Sequence, residues 1–245
     1  MTGPAQRPGR IGIAFGWAWK AFTSNAIALI VATAGYGVLF AAASTLNFLG
    51  QNMSTNFTKF DFTDYNFSMD FSPTGVAVIG LGYVVSLIVT AYAQAGFFSG
   101  CLDIADGKPV SVGSFFKPRN LGMAFLAAFL VSVVTAIGYT ACFLPGLLVV
   151  IFTQFTILFV VDRSQSAGKG FTSGVALVGS NFVAALLVWL LSVAAIVLGS
   201  LACGIGLLVT VPVAALIMTY AYRTLSGGQV APPAPPGPSP RPLPA

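Results

Sequence analysis

The sequence contains no histidine and no glutamate, and its charged side chains are eleven Lys or Arg and six Asp in 245 residues. Without imidazole there is no histidine base and no histidine metal ligand, so the aspartates would have to carry any acid–base chemistry. The three cysteines form no Cys-x-x-Cys pair, which argues against a metal centre. No glycine-rich run is followed by Lys and Ser or Thr, so a phosphate-cradling nucleotide loop is also missing. Most enzyme classes are thereby disfavoured, and no cofactor is expected. Charge makes up 7% of the chain, where a soluble domain carries about a quarter. What takes its place is apolar: 56% of the residues, with a mean hydropathy of +0.89. Such a surface belongs in a lipid bilayer.

A membrane span needs about 20 mostly apolar residues. Six uncharged runs qualify: 26–49, 76–98, 122–143, 147–161, 183–203 and 206–222. Leu144-Pro145-Gly146 separates the third from the fourth, and Gly204-Ile205-Gly206 the fifth from the sixth, so each pair reads as a tight helical hairpin. Pro212 falls inside the sixth and predicts a kink. Basic residues gather on the cytoplasmic side of membranes. Six spans put Arg7, Arg10, Lys20, Lys108, Lys117, Arg119, Arg163, Lys169, Arg223 and Arg241 on one side and only Lys59 on the other. Five or seven spans would split them. The expectation is an all-α protein of the inner (cytoplasmic) membrane with both termini cytoplasmic. The polar start, Met1 to Arg10, does not read as a cleaved signal peptide.

The second half aligns on itself. Asn120, Gly138, Ala141 and Cys142 recur as Asn181, Gly199, Ala202 and Cys203, and Gly146-Leu-Leu-Val149 recurs as Gly206-Leu-Leu-Val209. Arg163 and Arg223 close the two units, and Asn25 stands before the first span in the same way. Spans three and four and spans five and six read as two copies of one hairpin, and by length the first pair would be a third copy enlarged by the outer loop. Each is preceded by a segment with a helical apolar face: Ile11, Phe15, Ala18 and Phe22; Phe171, Val175, Val178 and Phe182; more weakly Val112 and Phe116. These predict amphipathic helices lying in the cytoplasmic interface.

The candidate sites are few. No charged residue lies within the six runs, which counts against ion-coupled transport and intramembrane catalysis. Asn47, Gln94 and Gln154 are the most polar residues there and are read as a polar cavity or, preferably, as interhelical hydrogen bonds. Gly96-xxx-Gly100, Gly138-xxx-Cys142 and Gly199-xxx-Cys203 predict close helix contacts. Cys142 and Cys203 near the outer ends of spans three and five are candidate disulfide partners, with two small buried side chains as the favoured alternative. Lys20, Lys117, Arg119 and Lys169 are candidate contacts for anionic lipid headgroups on a cytoplasmic face that carries ten basic residues against Asp103, Asp106 and Asp162. That dispersed charge, with no folded soluble module, excludes nucleic acid as an expected partner.

Two exposed segments remain. Between spans one and two, Phe60 and Phe62, then Tyr65, Phe67, Met69 and Phe71, alternate with polar residues. Period two predicts a small outer-loop β-hairpin turning near Thr63 and Asp64. Residues 226–245 hold eight of the fifteen prolines and predict a disordered Pro-rich cytoplasmic tail.

Trp17-Ala-Trp19-Lys20-Ala-Phe22 before Asn25, Phe115-Phe116-Lys117 before Asn120, Leu144-Pro145-Gly146, Asp162 closing span four and Gly179-Ser180-Asn181 carry a resemblance. Residues 11 to 224 resemble a broad group of uncharacterised bacterial six-span integral membrane proteins. That group is similar to the membrane domain attached to some glycerophosphodiester phosphodiesterases, and the proline and glycine content is similar to proline- and glycine-rich transmembrane proteins. The resemblance implies a six-helix membrane domain and carries over no catalytic residue.

The functional expectation is a non-enzymatic scaffold or accessory subunit of the bacterial cell envelope, partnered by other membrane proteins. The alternative is a permease subunit of an ATP-driven membrane exporter, coupling through residues 99–121 or 162–181. An immunity protein comes third. A lipid enzyme using Asp103, Asp106 and Asp162 comes last.

Overall fold

The computed structural model describes residues 9–56, 70–202 and 204–232. Among these, helices α1 (Gly9–Ser24), α2 (Ala26–Ser54), α3 (Pro73–Ala105), α4 (Leu121–Ala141) and α5 (Phe143–Thr153) are followed by α6 (Thr156–Asp162), α7 (Ala167–Ser180), α8 (Phe182–Leu201) and α9 (Leu207–Leu225). Six stretches are long and apolar enough to cross a membrane: α2 to Met53, α3, α4, α5 with α6, α8 and α9. The chain is therefore a multi-pass membrane protein. The closest packing runs between neighbours in sequence, α2 on α3, α4 on α5 and α8 on α9. At 33 residues α3 is about 50 Å long, against a hydrocarbon core of about 30 Å. Its ends must project, which is why its last turns carry Asp103 although the apolar run stops near residue 98.

The turn between spans three and four differs from the expected one. Helix α4 ends at Ala141, Cys142 is fully extended (φ −174°, ψ 162°), and α5 already begins at Phe143. Leu144-Pro145-Gly146 thus lies in the first helical turn, where the missing N–H of Pro145 costs nothing. In both tight turns glycines meet glycines. A Cβ on Gly138 would come within 2.9 Å of the Gly146 Cα, and one on Gly206 within 2.8 Å of the Gly199 carbonyl. Gly204 supplies the left-handed residue of the second turn (φ 78°).

Span four also differs: it starts earlier than 147 and breaks at Gln154-Phe155 into α5 and α6. It is the most enclosed of the six, 56% buried where α2 is 22%. Gly170 and Gly174 of α7 bring that helix onto α6, for a Cβ on Gly170 would collide with Val160 and one on Gly174 would sit 3.1 Å from the Thr156 hydroxyl. This small-residue pair went unnoticed in the sequence because it lies outside the apolar runs.

Helices do precede the spans. Asn25 breaks α1 from α2, with its side-chain amide donating to the Ala21 carbonyl at 3.0 Å. Asn181 does the same between α7 and α8, donating to Leu177 at 3.2 Å. In each case the amide satisfies a carbonyl that the ending helix leaves orphaned. Asn120 stands before α4 in the left-handed region (φ 52°), a conformation asparagine tolerates better than most residues. Its amide ties α4 to the end of α6 through the Val160 and Gln165 carbonyls, each at 3.1 Å.

The buried face of α1 is rotated from the expected Ile11, Phe15, Ala18 and Phe22. Ala14, Trp17, Ala18, Ala21 and Phe22 are buried, whereas Phe15 is 46% exposed. Trp17 decides the rotation: its ring packs on Tyr220 (centroids 5.4 Å) and its indole N–H donates to the Ala231 carbonyl at 2.9 Å. Before span three, a 3-10 helix (Val112–Phe116) takes the place of an interfacial helix. Phe115 is completely buried, seated where Gly96 and Gly100 leave room on α3. Tyr36 donates its hydroxyl to the Phe115 carbonyl at 2.7 Å, and Tyr92 to that of Phe116 at 2.9 Å. Gly96-xxx-Gly100 therefore receives Phe115, its carbonyl against Gly96 and its ring against Gly100.

At the base of the outer loop, β1 (Thr55–Asn56) pairs antiparallel with β2 (Asp70–Phe71). A pairing two residues long does not support the expected outer-loop β-hairpin, whose turn near Thr63 and Asp64 falls outside the described residues; the described fold is all-helical. The expected free tail from residue 226 is also corrected at its start. Gly227 (φ 79°) turns the chain off α9, Gly228 N–H donates to the Arg223 carbonyl at 2.7 Å, and Ala231 N–H donates to Ala105 at 2.8 Å. Residues 233–245 lie outside the described residues.

Gly96→Ala would drive a methyl into the Phe115 carbonyl and the Tyr36 hydroxyl, so it is expected to lower stability by about 1–3 kcal/mol. Gly80→Ala on the same helix meets nothing within 4 Å and is expected to be neutral or slightly stabilising. Thermal unfolding in detergent micelles separates the two.

Candidate functional site

The ends of α3, α6 and α9 meet, and with them every ion pair found among the described residues. Asp103 accepts from Arg119 at 2.5 Å and from Lys108 at 3.3 Å. Asp106 accepts from Lys108 at 3.2 Å and from Arg223 at 2.6 Å. Arg223 reaches on to Asp162 at 3.0 Å, and the other oxygen of Asp162 accepts the Tyr222 hydroxyl at 2.9 Å. The result is a continuous chain from Arg119 through Asp103, Lys108, Asp106 and Arg223 to Asp162 and Tyr222. Three cations meet three anions, so the network is neutral.

Its geometry follows from where each helix runs out of apolar residues. Asp103 and Asp106 are three apart at the C-terminal end of α3 and so share a face. Asp162 is the last residue of α6, and Arg223 lies in the last turn of α9. Arg223 is the best enclosed of the basic members, with 17% of its side chain exposed, and it is the one that joins two helix ends. Lys108 is 54% exposed, and its hydrogen bonds to Asp106 and Asp103 push its ammonium above the ordinary lysine range. The acids are thus engaged as ties. Their alignment could not be read from the sequence, since Asp106 and Arg223 are 117 positions apart.

The candidate residues fall in separate places. Asn47 bridges α2 and α3, donating to the Ser86 hydroxyl at 2.9 Å and to the Ala43 carbonyl at 3.2 Å. Its carbonyl oxygen is buried without a partner, and Gly82 makes room for it. Gln154 sits at the break in span four and donates to Ile151 at 3.0 Å and to Ala185 of α8 at 3.2 Å. Gln94 is exposed on the surface of α3. The three make no hydrogen bond with one another among the described residues. Cys142 is an exposed free thiol, not a buried one, and its proposed partner Cys203 lies outside the described residues. Lys20, Lys117 and Lys169 are exposed and have no ion pair among the described residues, while Arg119 is drawn into the network. No group of three or more metal-ligating side chains occurs among the described residues.

Arg223→Gln would leave Asp106 and Asp162 facing one another without their shared cation. It is expected to cost about 2–4 kcal/mol, in line with breaking a largely buried pair. Lys108→Gln, on the exposed edge, is expected to stay within about 1 kcal/mol. Denaturation in micelles at low and high salt measures both, and only the Lys108 effect should fade with salt.

No family model matches the chain, and no solved structure matches it. Curated relatives do. The chain is 40% identical to the uncharacterised protein Rv2560 of Mycobacterium tuberculosis over 242 aligned positions, which cover 93% of this chain and 74% of that protein. It is 39% identical to the uncharacterised protein Mb2590 of Mycobacterium bovis over the same shares of the two chains. At that identity and coverage, the chain belongs to the family of these uncharacterised mycobacterial proteins.

Proposed function

We propose that this protein is a non-enzymatic scaffold or accessory subunit of the bacterial cell envelope, set in the inner membrane with both termini cytoplasmic. In this reading the bundle is three hairpins, α2–α3, α4–α5/α6 and α8–α9, led on the cytoplasmic side by α1, the 3-10 helix and α7. The observation that carries it is the neutral network at the helix ends. Asp103, Asp106 and Asp162 were the acids available to a lipid enzyme at that face, and each is bound by cations or a tyrosine that tie helices together. A carboxylate so engaged serves as a structural link between helices. The ten-to-one distribution of basic residues supports the orientation. Exposed Lys20, Lys117 and Lys169 support contact with anionic lipids. Likeness to the membrane domain attached to glycerophosphodiester phosphodiesterases belongs to this reading and brings no catalysis with it.

Two measurements test it. In a Cys203→Ser protein, a membrane-impermeant maleimide added to spheroplasts is expected to label Cys142 and to leave the buried Cys101 unlabelled; labelling of Cys142 only in inverted vesicles would reverse the orientation. Crosslinking in membranes followed by mass spectrometry is expected to recover other envelope proteins. Stoichiometric recovery of an ATPase would favour the permease subunit instead, and turnover of a lipid by the purified protein would refute the non-enzymatic reading.

A further inference from the structure

Arg163, at the junction of α6 and α7, takes no part in the ion pairs and meets the network only through a hydrogen bond to the Tyr222 hydroxyl. Both oxygens of its neighbour Asp162 point to other partners, one to Arg223 at 3.0 Å and the other to Tyr222 at 2.9 Å. Arg163 therefore has no carboxylate partner among the described residues. It is nevertheless held in place. The guanidinium carbon lies 5.1 Å from the centre of the Phe159 ring, a cation–π contact, and one nitrogen donates to the Ser226 carbonyl at 3.1 Å. The fork that remains borders an open hollow of about 370 Å³ between the ends of α6 and α9 and one side of α7.

The lining of that hollow is divided. Leu177 and Leu225 form apolar wall, while Arg163, Ser173, Ser180 and Ser226 supply polar atoms. Ser180 spends its hydroxyl proton on the carbonyls of Ala176 and Leu177. Ser173 makes no hydrogen bond among the described residues, so its hydroxyl is free to donate. The depth matters as much as the chemistry. Asp162 and Arg223 end the apolar runs of spans four and six, and Arg163 and Leu225 lie just past them, so the hollow straddles the boundary between membrane-spanning and charged parts of the bundle. A pre-positioned guanidinium with no carboxylate partner among the described residues, a free hydroxyl and an apolar wall at that level fit a phosphate oxyanion carried on an amphipathic molecule.

We propose that Arg163 and Ser173 form a binding site for a phosphate group, entered from the headgroup layer, in the hollow between α6, α7 and α9. The site is local and differs from diffuse attraction by Lys20, Lys117 and Lys169. It does not rest on the scaffold reading, since a phosphate site would serve a permease subunit equally.

The full-length protein is to be reconstituted with phosphatidylglycerol, washed into detergent, and its retained lipid counted by native mass spectrometry, with inorganic phosphate titrated in a second arm. The wild type is expected to keep at least one lipid, and Arg163→Gln and Ser173→Glu to reduce that retention at least tenfold. The combined Lys20→Gln, Lys117→Gln, Lys169→Gln variant should keep it. Thermal unfolding checks that all variants remain folded, which the exposure of Arg163 favours. Millimolar inorganic phosphate that binds the wild type but not Arg163→Gln, with no lipid retained, would assign the same site to a soluble phosphate. Equal lipid retention by wild type and both site variants, with no Arg163-dependent phosphate binding, overturns the proposal.

Discussion

Helices in a bilayer gain little by hiding apolar surface from one another, because lipid tails are as apolar as leucine. Close packing and a small number of polar ties must hold them together. Here the tie on which the arrangement turns is Arg223, whose guanidinium reaches Asp106 at the end of α3 and Asp162 at the end of α6. Sited where the apolar runs stop, it avoids the cost of a charge at membrane depth. It also places α6 centrally, beside a helix that arrives from the far end of the chain.

Around that tie, the small residues let the backbone approach. Gly170 and Gly174 set α7 on α6, Gly138 meets Gly146, Gly199 meets Gly206, and Gly96 with Gly100 opens a seat for Phe115. The seat anchors the segment between α3 and α4, with Tyr36 and Tyr92 satisfying backbone carbonyls that would otherwise be orphaned. Trp17 and Ala231 close the same end by joining the first helix to the residues after α9. The charged end is thus a built layer, and Lys20, Lys117 and Lys169 lie outside it.

Much of this was legible in the residues. Six spans appear at nearly the expected positions, because about 20 apolar residues in succession have few other fates. Asn25 and Asn181 end the leading helices as their recurrence suggested. Glycine spacing marked close approaches, though not what would approach: Gly96-xxx-Gly100 looks like any helix contact until Phe115 is seen in it. The face of α1 was misjudged by one step since period alone does not tell which apolar residue also needs a partner for its N–H. The turn at Pro145 was misplaced since proline is as much at home in a first helical turn as in a break.

Composition and run length by themselves determined that the chain belongs in a membrane, how many times it can cross, and that charge is confined to the ends of its helices. These are local or additive properties, set by solvation of one segment at a time. Only the tertiary structure decided that Asp103, Asp106 and Asp162 are ties, that Gln94 faces outward while Asn47 and Gln154 join helices, and that Arg163 has no carboxylate partner among the described residues. Each of those depends on which residue from a distant helix arrives within 3 Å, and in a chain so poor in charge a single arrival settles the role of the group it meets.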